Sequence, residues 1–379
     1  MFISLRYIMF KQIIMKKLLY KTLVILIILS SGCSWQDINK SAVRRPKVRN
    51  IILFIGDGMG TAQVYAGMSM SGSPLTLESF PYSGFSKTNS SDNYVTDSGA
   101  GGTAIACGVK TKNGMIGMGP DSTVVASITE IAHRNGLATG VLSTSAITHA
   151  TPASFVAHNS GRGNYEDLAK DFLNGTVDVF IGGGEDHFRN RKDGADLTVD
   201  LKKMGYDVVY NIDDLKRSGS QKIAGLLAKE HMPKAMEGRE GMLAQMTSKA
   251  IETLSLDKDG FFLMVEGSMI DWGAHAKDFP YTVTEVIDLD MAISVAKDFA
   301  EKNGNTLIIV TADHETGGLT LPGGDMKSHK VISNFIESGS HTGVMVPIFS
   351  FGPGAGRFSG IHDNTFFLNE FLGLLRINK

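Results

Sequence analysis

Five short motifs in this chain of 379 residues combine acids, histidines and one serine. Carboxylates and imidazoles in this number can hold two or three metal ions, and a serine beside a metal ion can act as a nucleophile. The set therefore predicts metal-assisted removal of phosphate from esters. Its members are Asp57, the pair Asp97-Ser98, the set Glu266, Asp271 and His275, the pair Asp313-His314, and His341.

Asp57 and Ser98 can each be interpreted in two ways, as a structural residue or as a functional one. Asp57 is bordered by Gly56 and Gly58, which permit close approach of the backbone to an ion, although a turn or N-cap acid would look the same. Ser98 opens a run of small residues that predicts a helix. Asp97 or Ser98 could simply cap that helix, or Ser98 could be a nucleophile whose phosphorylated form lies at the positive helix end. No Gly-x-Ser-x-Gly motif surrounds Ser98, so a metal ion is the expected activator.

The segment from Glu266 to His275 is the most specific local pattern. Asp271 and His275 are four residues apart and therefore share one face of a helix, as zinc ligands do in other helical sites. Glu266 follows an apolar run and could serve a neighbouring ion. An isolated pair of this kind is often only an exposed helix pair, and a lone histidine such as His341 is usually structural. The evidence for a functional role of each motif therefore depends on the presence of the others.

Apolar runs alternate with helical periodicity from Asn50 onward, which predicts an α/β fold with a largely parallel sheet. Functional groups in such sheets gather beyond the carboxyl ends of the strands, where Asp57, Glu266 and Asp313 would meet. Strands are predicted at 51–55, 140–142, 177–181, 261–265, 307–310 and 344–350, and helices at 124–134, 165–173, 242–254 and 283–301.

The first 32 residues are typical of an export signal. They contain five basic residues and no acidic one, and an apolar run at 23–29 precedes small residues and Cys33. This order predicts a signal peptide over 1–32, and the position of Cys33 favours lipidation there over a plain secretory signal. Residues 33–48 are polar and aperiodic and predict a tether. The protein would then be exported to the periplasm or cell envelope, with Met15 as an alternative start to Met1.

The remaining residues, 49–379, are suited to one large globular domain, with a more polar surface excursion around 185–240. Beyond residue 32 the chain has 32 Lys and Arg against 39 Asp and Glu. Because no basic cluster stands out, nothing suggests nucleic-acid binding. The chain has only two cysteines, so if Cys33 carries lipid, Cys107 has no partner and is expected to be a buried thiol.

Taken together and in this order, the motifs resemble those of the alkaline phosphatase family over about residues 50–356. The resemblance implies a three-layer α/β/α fold around a central, largely parallel sheet. It also implies hydrolysis of phosphate monoesters of broad specificity through a phosphoserine. Ser98 would be the nucleophile, and Arg162 would hold the phosphoryl oxygens with its guanidinium fork while Asp97 orients it.

The same resemblance implies a site with two zinc ions and one magnesium ion. Asp57 would be shared between the second zinc ion and the magnesium ion. The first zinc ion would be held by Asp271, His275 and His341, the second by Asp57, Asp313 and His314, and the magnesium ion by Asp57, Thr151 and Glu266.

Two residues depart from the best-known bacterial pattern of the family. His149 stands where that pattern has an acid near the magnesium ion, and Trp272 stands where it has a lysine near the phosphate. Neutral imidazole suits zinc or cobalt better than magnesium. We therefore expect His149 to weaken magnesium retention, so that added magnesium raises activity.

Two other functions fit the same residues less well. A phosphodiesterase or phosphonate-ester hydrolase could use the same metal scaffold, but Arg162 favours a dianionic monoester. A non-catalytic, lipid-anchored phosphate- or metal-binding protein would be expected to lack a ligand or Ser98, and none is missing. The implied partners are small phosphomonoesters, a membrane only through Cys33, and a second copy of the chain, since family members are commonly homodimers.

Overall fold

The computed structural model describes residues 15–17, 48–325 and 327–379. The chain divides into two units, 1–45 and 46–379, and of the first unit only the helical residues 15–17 are described. The predicted signal peptide and tether therefore lie outside the described residues, apart from 15–17 and Val48. Among the residues that are described, no helix combines the length and the apolar character needed to cross a membrane.

Strands and helices alternate from Asn50 to Thr311, as the sequence predicts, and further strands follow up to Asp363. The strands are β1 (Asn50–Gly56), β2 (Tyr82–Lys87), β3 (Ala138–Ala146), β4 (Val179–Gly183), β5 (Asp207–Val209), β6 (Ile223–Leu226), β7 (Phe261–Gly267), β8 (Thr306–Thr311), β9 (Glu315–Thr316), β10 (Thr320–Asp325), β11 (Lys330–Asn334), β12 (His341–Thr342), β13 (Val346–Phe351) and β14 (Gly360–Asp363). The helices are α1 (Thr61–Met70), α2 (Ser98–Cys107), α3 (Ile128–Arg134), α4 (Ala150–Ala153), α5 (Tyr165–Asp171), α6 (Glu185–Arg189), α7 (Leu197–Lys203), α8 (Ile212–Arg217), α9 (Met242–Leu254), α10 (Met269–His275), α11 (Phe279–Asn303) and α12 (Phe366–Leu375).

A ten-stranded sheet organises this unit, in the order β14-β2-β13-β8-β1-β7-β3-β4-β6-β5. Strand β13 pairs antiparallel with both of its neighbours, β2 and β8, whereas the other pairs in this sheet are parallel. The carboxyl ends of β8, β1, β7 and β3 therefore lie side by side along one edge. We name this edge the carboxyl edge, and the opposite one the amino edge.

Strand β1 shows why the fold has three layers. Ile51, Leu53 and Ile55 belong to one hydrophobic core, while Ile52 and Phe54 belong to another. Successive side chains of a strand point to opposite faces, so both faces of β1 are buried under helices. Helices α2, α3 and α12 contribute to the first core, and α9 and α11 to the second. The predicted three-layer α/β/α class is confirmed.

The segment around 185–240, predicted as a surface excursion, has a larger part in the fold. It contains the short helices α6, α7 and α8, and also β5 and β6, which extend the main sheet beyond β4. Strand β5 has only three residues and β6 only four, so neither gives a clear apolar run in the sequence. The segment therefore forms the outer edge of the sheet as well as surface structure.

Both ends of the described part of the second unit lie at the amino edge. The backbone amide of Arg49, directly before β1, donates to the carbonyl of Asn305, directly before β8, at 2.9 Å. Near the other end, Asn135 at the end of α3 donates from Nδ2 to the carbonyl of Asn378 at 2.9 Å. Asn135 precedes the start of β3, so the C-terminal residues lie beside the beginnings of the central strands.

Candidate active site and metal centre

The acids predicted from strand ends meet at the carboxyl edge. Asp57 directly follows β1, Glu266 is the penultimate residue of β7, and Asp313 follows β8 by two residues. Strands β8, β1 and β7 are neighbours in the sheet, and Ile55 is in register with both Glu266 and Thr311. All three acids are fully buried. Three carboxylates thus share one buried region because three parallel strands end there.

His341 reaches the same edge because β13 runs against its neighbours. An antiparallel strand begins where the parallel strands end, so the residues that precede β13 lie at the carboxyl edge. The short strand β12 fixes them there, with His341 opposite Thr316 of β9. The reversed strand therefore explains how a lone histidine late in the sequence joins the acids.

The first cluster consists of Asp271, His275 and His341. Nε2 of His275 lies 3.1 Å from Nε2 of His341, and these atoms lie 3.3 and 3.5 Å from Oδ1 of Asp271. Nδ1 of His275 lies 2.7 Å from the carbonyl of Gly339, and Nδ1 of His341 lies 3.0 Å from the carbonyl of Thr96. A carbonyl only accepts hydrogen bonds, so each Nδ1 carries its ring's proton when the ring is neutral.

Both Nε2 atoms of this first cluster consequently present lone pairs to each other and to a carboxylate oxygen. Lone pairs at such short distances repel unless a positive charge lies between them. A histidine that donates its other nitrogen to a carbonyl is the usual arrangement of a metal ligand. The three ligand atoms lie within 4.8 Å of one another, as atoms that hold one ion must.

The second cluster consists of Asp57, Asp313 and His314. Nε2 of His314 lies 3.4 Å from Oδ1 of Asp57 and 3.2 Å from Oδ2 of Asp313. Neither of these carboxylate oxygens has a hydrogen-bond partner among the described residues, although both are buried. Oγ of Ser98 lies 3.2 Å from the same Nε2. The serine hydroxyl thus contacts a ligand nitrogen that itself lies beside two unpaired carboxylate oxygens.

Thr316 connects the first and second clusters. Its hydroxyl donates to Oδ1 of Asp271 and lies 3.2 Å from Nδ1 of His314. The single hydroxyl proton is used on Asp271, so the hydroxyl oxygen accepts from Nδ1–H of His314. Nε2 of His314 is then left with its lone pair directed at the second cluster.

The third cluster consists of Asp57, His149 and Glu266, so Asp57 belongs to two clusters. Oγ1 of Thr151 lies 3.4 Å from Oδ2 of Asp57. Oε2 of Glu266 accepts from Ser143 at 2.5 Å and from Ser268 at 2.6 Å. Oε1 of Glu266 and Nδ1 of His149 are buried and have no hydrogen-bond partner among the described residues. A further cation could use these free atoms.

Burial without compensating charge shifts the pKa values of the second and third clusters. Burial, and then the carboxylates of Asp313 and Asp271, raises the pKa of Asp57 well above its usual value. Burial also raises the pKa of Asp313 to about 8 and lowers the pKa of His149 to about 3. The pKa of His314 is well below its usual value, first because of burial and then because of nearby His341.

These observations together show that the residues present fit a set of bound cations. Ionised carboxylates this deeply buried are stable only when paired with positive charge or with a metal ion. The first two clusters mix imidazole and carboxylate, the ligand set of zinc. The third adds hydroxyl and carboxylate oxygens, which suit magnesium, to one imidazole.

Ser98 lies at the N-terminus of α2, where Asp97 is the N-cap. Oδ1 of Asp97 accepts from the amide of Ala100 at 3.0 Å, so the capping role suggested by the sequence is present. Oδ2 of the same carboxylate accepts from Nη1 of Arg162 at 2.8 Å and from the amide of Gly114 at 3.0 Å. Asp97 therefore both caps the serine's helix and holds the arginine.

The small residues of α2 let this helix approach the second cluster. A Cβ at Gly101 would lie 3.1 Å from both Cβ and the carbonyl oxygen of Asp313, so a larger residue there would push the two elements apart. Ser98 itself is buried, with 2% of its surface exposed. The helix thus brings its first turn, and the serine in it, against the metal-ligand residues.

The structure brings together every site residue predicted from the sequence, and it adds others. Thr316 and the hydroxyls of Ser143 and Ser268 orient candidate ligands, and the ring of His231 packs edge-on against that of His149. Single hydroxyl residues carry no spacing signal of their own. Ser268, two residues after Glu266, and Thr316, two residues after His314, lie near motifs that could have indicated their roles.

Comparison with known proteins agrees with this geometry. The sequence model of the alkaline phosphatase family matches residues 48–335. Alkaline phosphatase 4 of Bacillus subtilis (strain 168) is 33% identical, over 92% of this chain and 94% of the relative. The solved structure of alkaline phosphatase from the Antarctic bacterium TAB5 is 40% identical, with a TM-score of 0.84 over 88% of this chain and 100% of that one.

A histidine-to-aspartate variant of the TAB5 enzyme is similar to the same extent, with 39% identity and a TM-score of 0.84, and is described with Mg bound in its M3 site. The chain belongs to the alkaline phosphatase family. It is accordingly a metal-binding hydrolase that acts on phosphate monoesters.

Proposed function

We propose that the protein hydrolyses phosphate monoesters of broad specificity through a phosphoserine at Ser98. Two zinc ions would be held by the first and second clusters and one magnesium ion by the third, with Thr151 as an additional ligand beside Asp57. The observation that carries the proposal is the contact of Ser98 Oγ with Nε2 of His314, whose neighbours are two buried carboxylate oxygens without hydrogen-bond partners among the described residues. A serine in this position would lie beside a cation.

Ser98 would act as the nucleophile in the first of two steps. Its oxygen forms a bond to phosphorus, the bond between phosphorus and the ester oxygen breaks, and the alcohol leaves. The new phosphoserine lies at the N-terminus of α2, where the helix dipole favours negative charge. When bound, the metal ions would lower the pKa of the attacking hydroxyl and neutralise charge on the phosphoryl and leaving oxygens.

Arg162 would hold the phosphoryl group during both steps. Its guanidinium fork can donate two parallel hydrogen bonds to phosphate oxygens, and Asp97 fixes its orientation. In the second step water attacks phosphorus, the bond to Ser98 breaks, and inorganic phosphate is released. Each step inverts phosphorus, so the expected overall result is retention. Little contact with the alcohol is needed, which supports broad specificity.

Trapping of the intermediate tests the nucleophile. The holoenzyme is mixed with ³²P-labelled substrate, quenched in acid, and its labelled peptide is identified. We expect label on Ser98 and none in Ser98→Ala, with the exposed Ser91→Ala as the matched control that labels normally. Label on another residue of Ser98→Ala would overturn the assignment.

The choice between a monoesterase and a diesterase rests on Arg162. A monoester dianion offers one more charged oxygen than a diester for the guanidinium to bind. The ratio of kcat/KM values on p-nitrophenyl phosphate and bis-p-nitrophenyl phosphate decides the question. We expect a strong preference for the monoester and a smaller ratio in Arg162→Ala. A preference for the diester in the unmodified enzyme would reject the proposal.

His149 would weaken the retention of magnesium in the third cluster. Its buried imidazole is a poorer ligand for magnesium than a carboxylate would be. After chelation and zinc replacement, added magnesium should raise the activity, and His149→Asp should need less of it. The Mg-bound variant of the TAB5 enzyme, in which aspartate replaces a histidine, supports this expectation. Equal activity with and without magnesium would contradict it.

We also propose that the protein is exported and anchored by lipid at Cys33, and that it forms a homodimer. The basic, apolar and small-residue order of 1–33 supports the first part, and family membership supports the second. Incorporation of labelled palmitate into the wild type but not into Cys33→Ser tests the anchor. Light scattering of the purified protein tests the dimer.

A further inference from the structure

His231 lies in the segment around 185–240, between β6 and the short 3₁₀ helix Ala235–Glu237, far in sequence from the predicted motifs. Its ring packs edge-on against Trp272, with centroids 4.6 Å apart and planes at 84°. It also packs edge-on against His149, at 5.8 Å and 88°. His149 and Trp272 are themselves 5.9 Å apart at 86°. The three rings therefore form a mutually perpendicular set, which we name the ring triad.

The ring triad joins the two residues that depart from the best-known family pattern. His149 belongs to the third cluster, and Trp272 directly follows Asp271 of the first. Edge-to-face contacts at these distances are the favourable geometry for aromatic rings. His231 touches both departures without belonging to any cluster. It is thus placed to act on the third cluster through its neighbours.

His231 is also hydrogen-bonded to the chain that carries His149. The amide of Ala146 donates to Nδ1 of His231 at 3.0 Å. Ala146 ends β3, and the turn from Ala146 to His149 leads into α4, which contains Thr151. An acceptor at this amide therefore fixes the start of the turn that delivers two candidate ligands to the third cluster.

His149 depends on such packing for its orientation. Neither ring nitrogen of His149 makes a hydrogen bond to another described residue, whereas Nδ1 of His275 and of His341 each contacts a backbone carbonyl. Metal-binding histidines are usually oriented by a hydrogen bond from their second nitrogen. The contacts with His231 and Trp272 stand in the place of that bond.

The segment that carries His231 is attached firmly to the sheet. The amide of Leu227 donates to the carbonyl of Gly182 at 2.7 Å, and the amide of Met232 to the carbonyl of Thr144 at 3.3 Å. A Cβ at Gly183 would lie 2.0 Å from the carbonyl oxygen of Glu230, so the close approach of the two chains requires glycine there. His231 is therefore held at the carboxyl ends of β3 and β4.

We propose that His231 is a positioning residue for the third cluster: by holding the turn at Ala146 and the rings of His149 and Trp272, it sets how tightly the third cation is retained. This inference rests on the proposed function, because it requires a cation in that cluster. Loss of a group that orients a metal ligand typically weakens metal binding 10- to 100-fold.

Trp272 provides a direct readout of magnesium binding to the third cluster. The chain has two tryptophans, Trp35 and Trp272, so the full-length chain with Trp35→Phe reports from Trp272 alone. The zinc-loaded protein is titrated with magnesium while tryptophan emission is recorded. Bound magnesium and zinc are then measured by mass spectrometry after gel filtration. Both readouts are independent of catalytic activity.

Three substitutions separate the two roles of the His231 ring, in the Trp35→Phe background. His231→Asn keeps an acceptor for the amide of Ala146, His231→Phe keeps a ring against Trp272, and His231→Ala removes both. We expect the magnesium concentration at half-maximal change to rise about tenfold or more in His231→Ala, with smaller rises in the other two. His133→Ala, at an exposed position of α3, is the matched control.

If the role of His231 were merely structural, His231→Ala would lower the midpoint of thermal unfolding. The magnesium concentration at half-maximal change (the magnesium midpoint), measured well below that temperature, would then stay the same. An unchanged magnesium midpoint in His231→Ala, or an equal shift in His133→Ala, would overturn the inference. If His231→Ala does not fold, the Asn and Phe variants decide it by the same criterion. A parent protein that shows no magnesium response and holds no third ion would overturn the third-cation proposal and this inference with it. A responsive parent whose variants keep its magnesium midpoint would overturn this inference alone.

Discussion

Asp97 binds Arg162 with one carboxylate oxygen and caps the helix of Ser98 with the other. Nη1 of Arg162 lies 2.8 Å from Oδ2, and the amide of Ala100 lies 3.0 Å from Oδ1. One side chain therefore fixes the position of the proposed phosphate-binding group relative to the proposed nucleophile. A fixed distance between Arg162 and Ser98 would favour phosphoryl transfer, because both groups are then correctly placed before the substrate binds.

Substitution of Asp97 can separate its two functions. Asp97→Asn keeps an oxygen for the helix cap but loses the charged partner of Arg162, whereas Asp97→Ala loses both. A hydrogen bond to a charged group contributes about 1.5–3 kcal/mol, so kcat/KM should fall roughly 10- to 100-fold in both variants. Only Asp97→Ala should also lose about 1 kcal/mol of stability through the cap. Steady-state kinetics and chemical denaturation measure the two effects, and an equal loss of stability in both variants would contradict the separation.

Thr316 is expected to control metal retention in the first two clusters. Its hydroxyl connects Asp271 and His314, so Thr316→Val should leave both ligands misoriented. We expect zinc to be lost to a chelator about 10- to 100-fold faster, as for other residues that orient ligands. Thr316→Ser keeps the hydroxyl and should restore most of the retention. If Val and Ser variants lose zinc at the same rate, the hydroxyl is not the important group.

Removal of the metal ions should change how stability depends on pH. Burial raises the pKa of Asp57, and raises that of Asp313 to about 8, in the metal-free protein. A carboxyl whose pKa is higher in the folded state stabilises that state at low pH, and this stabilisation is lost as pH rises from about 4 to about 8.

The thermal midpoint of the metal-free protein should therefore fall over this pH range more steeply than that of the holoenzyme. Asp313→Asn removes one of the titrating groups and should flatten the metal-free curve. Differential scanning fluorimetry across the same pH range gives all three profiles. Parallel curves for the metal-free protein and the holoenzyme would show that these carboxyls do not titrate as expected.

Arg239 should be the most sensitive charged position away from the site. Its side chain is fully buried and bonds to Glu285 and Asp288 of α11, with Nη1 at 2.5 Å from Oδ2 of Asp288. Arg239→Met would leave two buried carboxylates without their charged partner, at a cost of about 3–5 kcal/mol. Arg217→Met removes an exposed pair instead and should cost under about 1 kcal/mol. Urea denaturation compares the two variants with the wild type, and equal losses of stability would contradict the expectation.

The central part of the fold follows directly from the sequence. Strands buried on both faces give continuous apolar runs, and β1, β7 and β8 were predicted within two residues of their observed ends. Helix α9 begins and ends where the periodicity predicts, and the predicted helix at 283–301 extends to Phe279–Asn303 because Asp278 caps it. Strands β2, β5 and β14, at or next to the edges of the sheet, were missed, since a short or half-exposed strand has no such run.

The site could be predicted where a residue type and a spacing coincide. Asp271 and His275 share a helix face, and Asp57, Glu266 and Asp313 follow buried strands, so each carries a local signal. Residues that act through tertiary contact carry none. The roles of Thr316 and His231 become visible only when β9 meets α10 and the chain after β6 meets β3. The antiparallel direction of β13, which brings His341 to the carboxyl edge, could likewise not be predicted from the sequence.

The position of Arg49 and of the C-terminal residues at the amino edge has a practical consequence. Strand β1 has seven residues and rises about 3.3 Å per residue, so Asn50 lies roughly 20 Å from Asp57. Arg49 and Asn378 are both fixed near the strand beginnings, on the side of the sheet away from the three clusters. The folded unit could thus be coupled to a bead or a surface through either end with its catalytic face turned toward the solution.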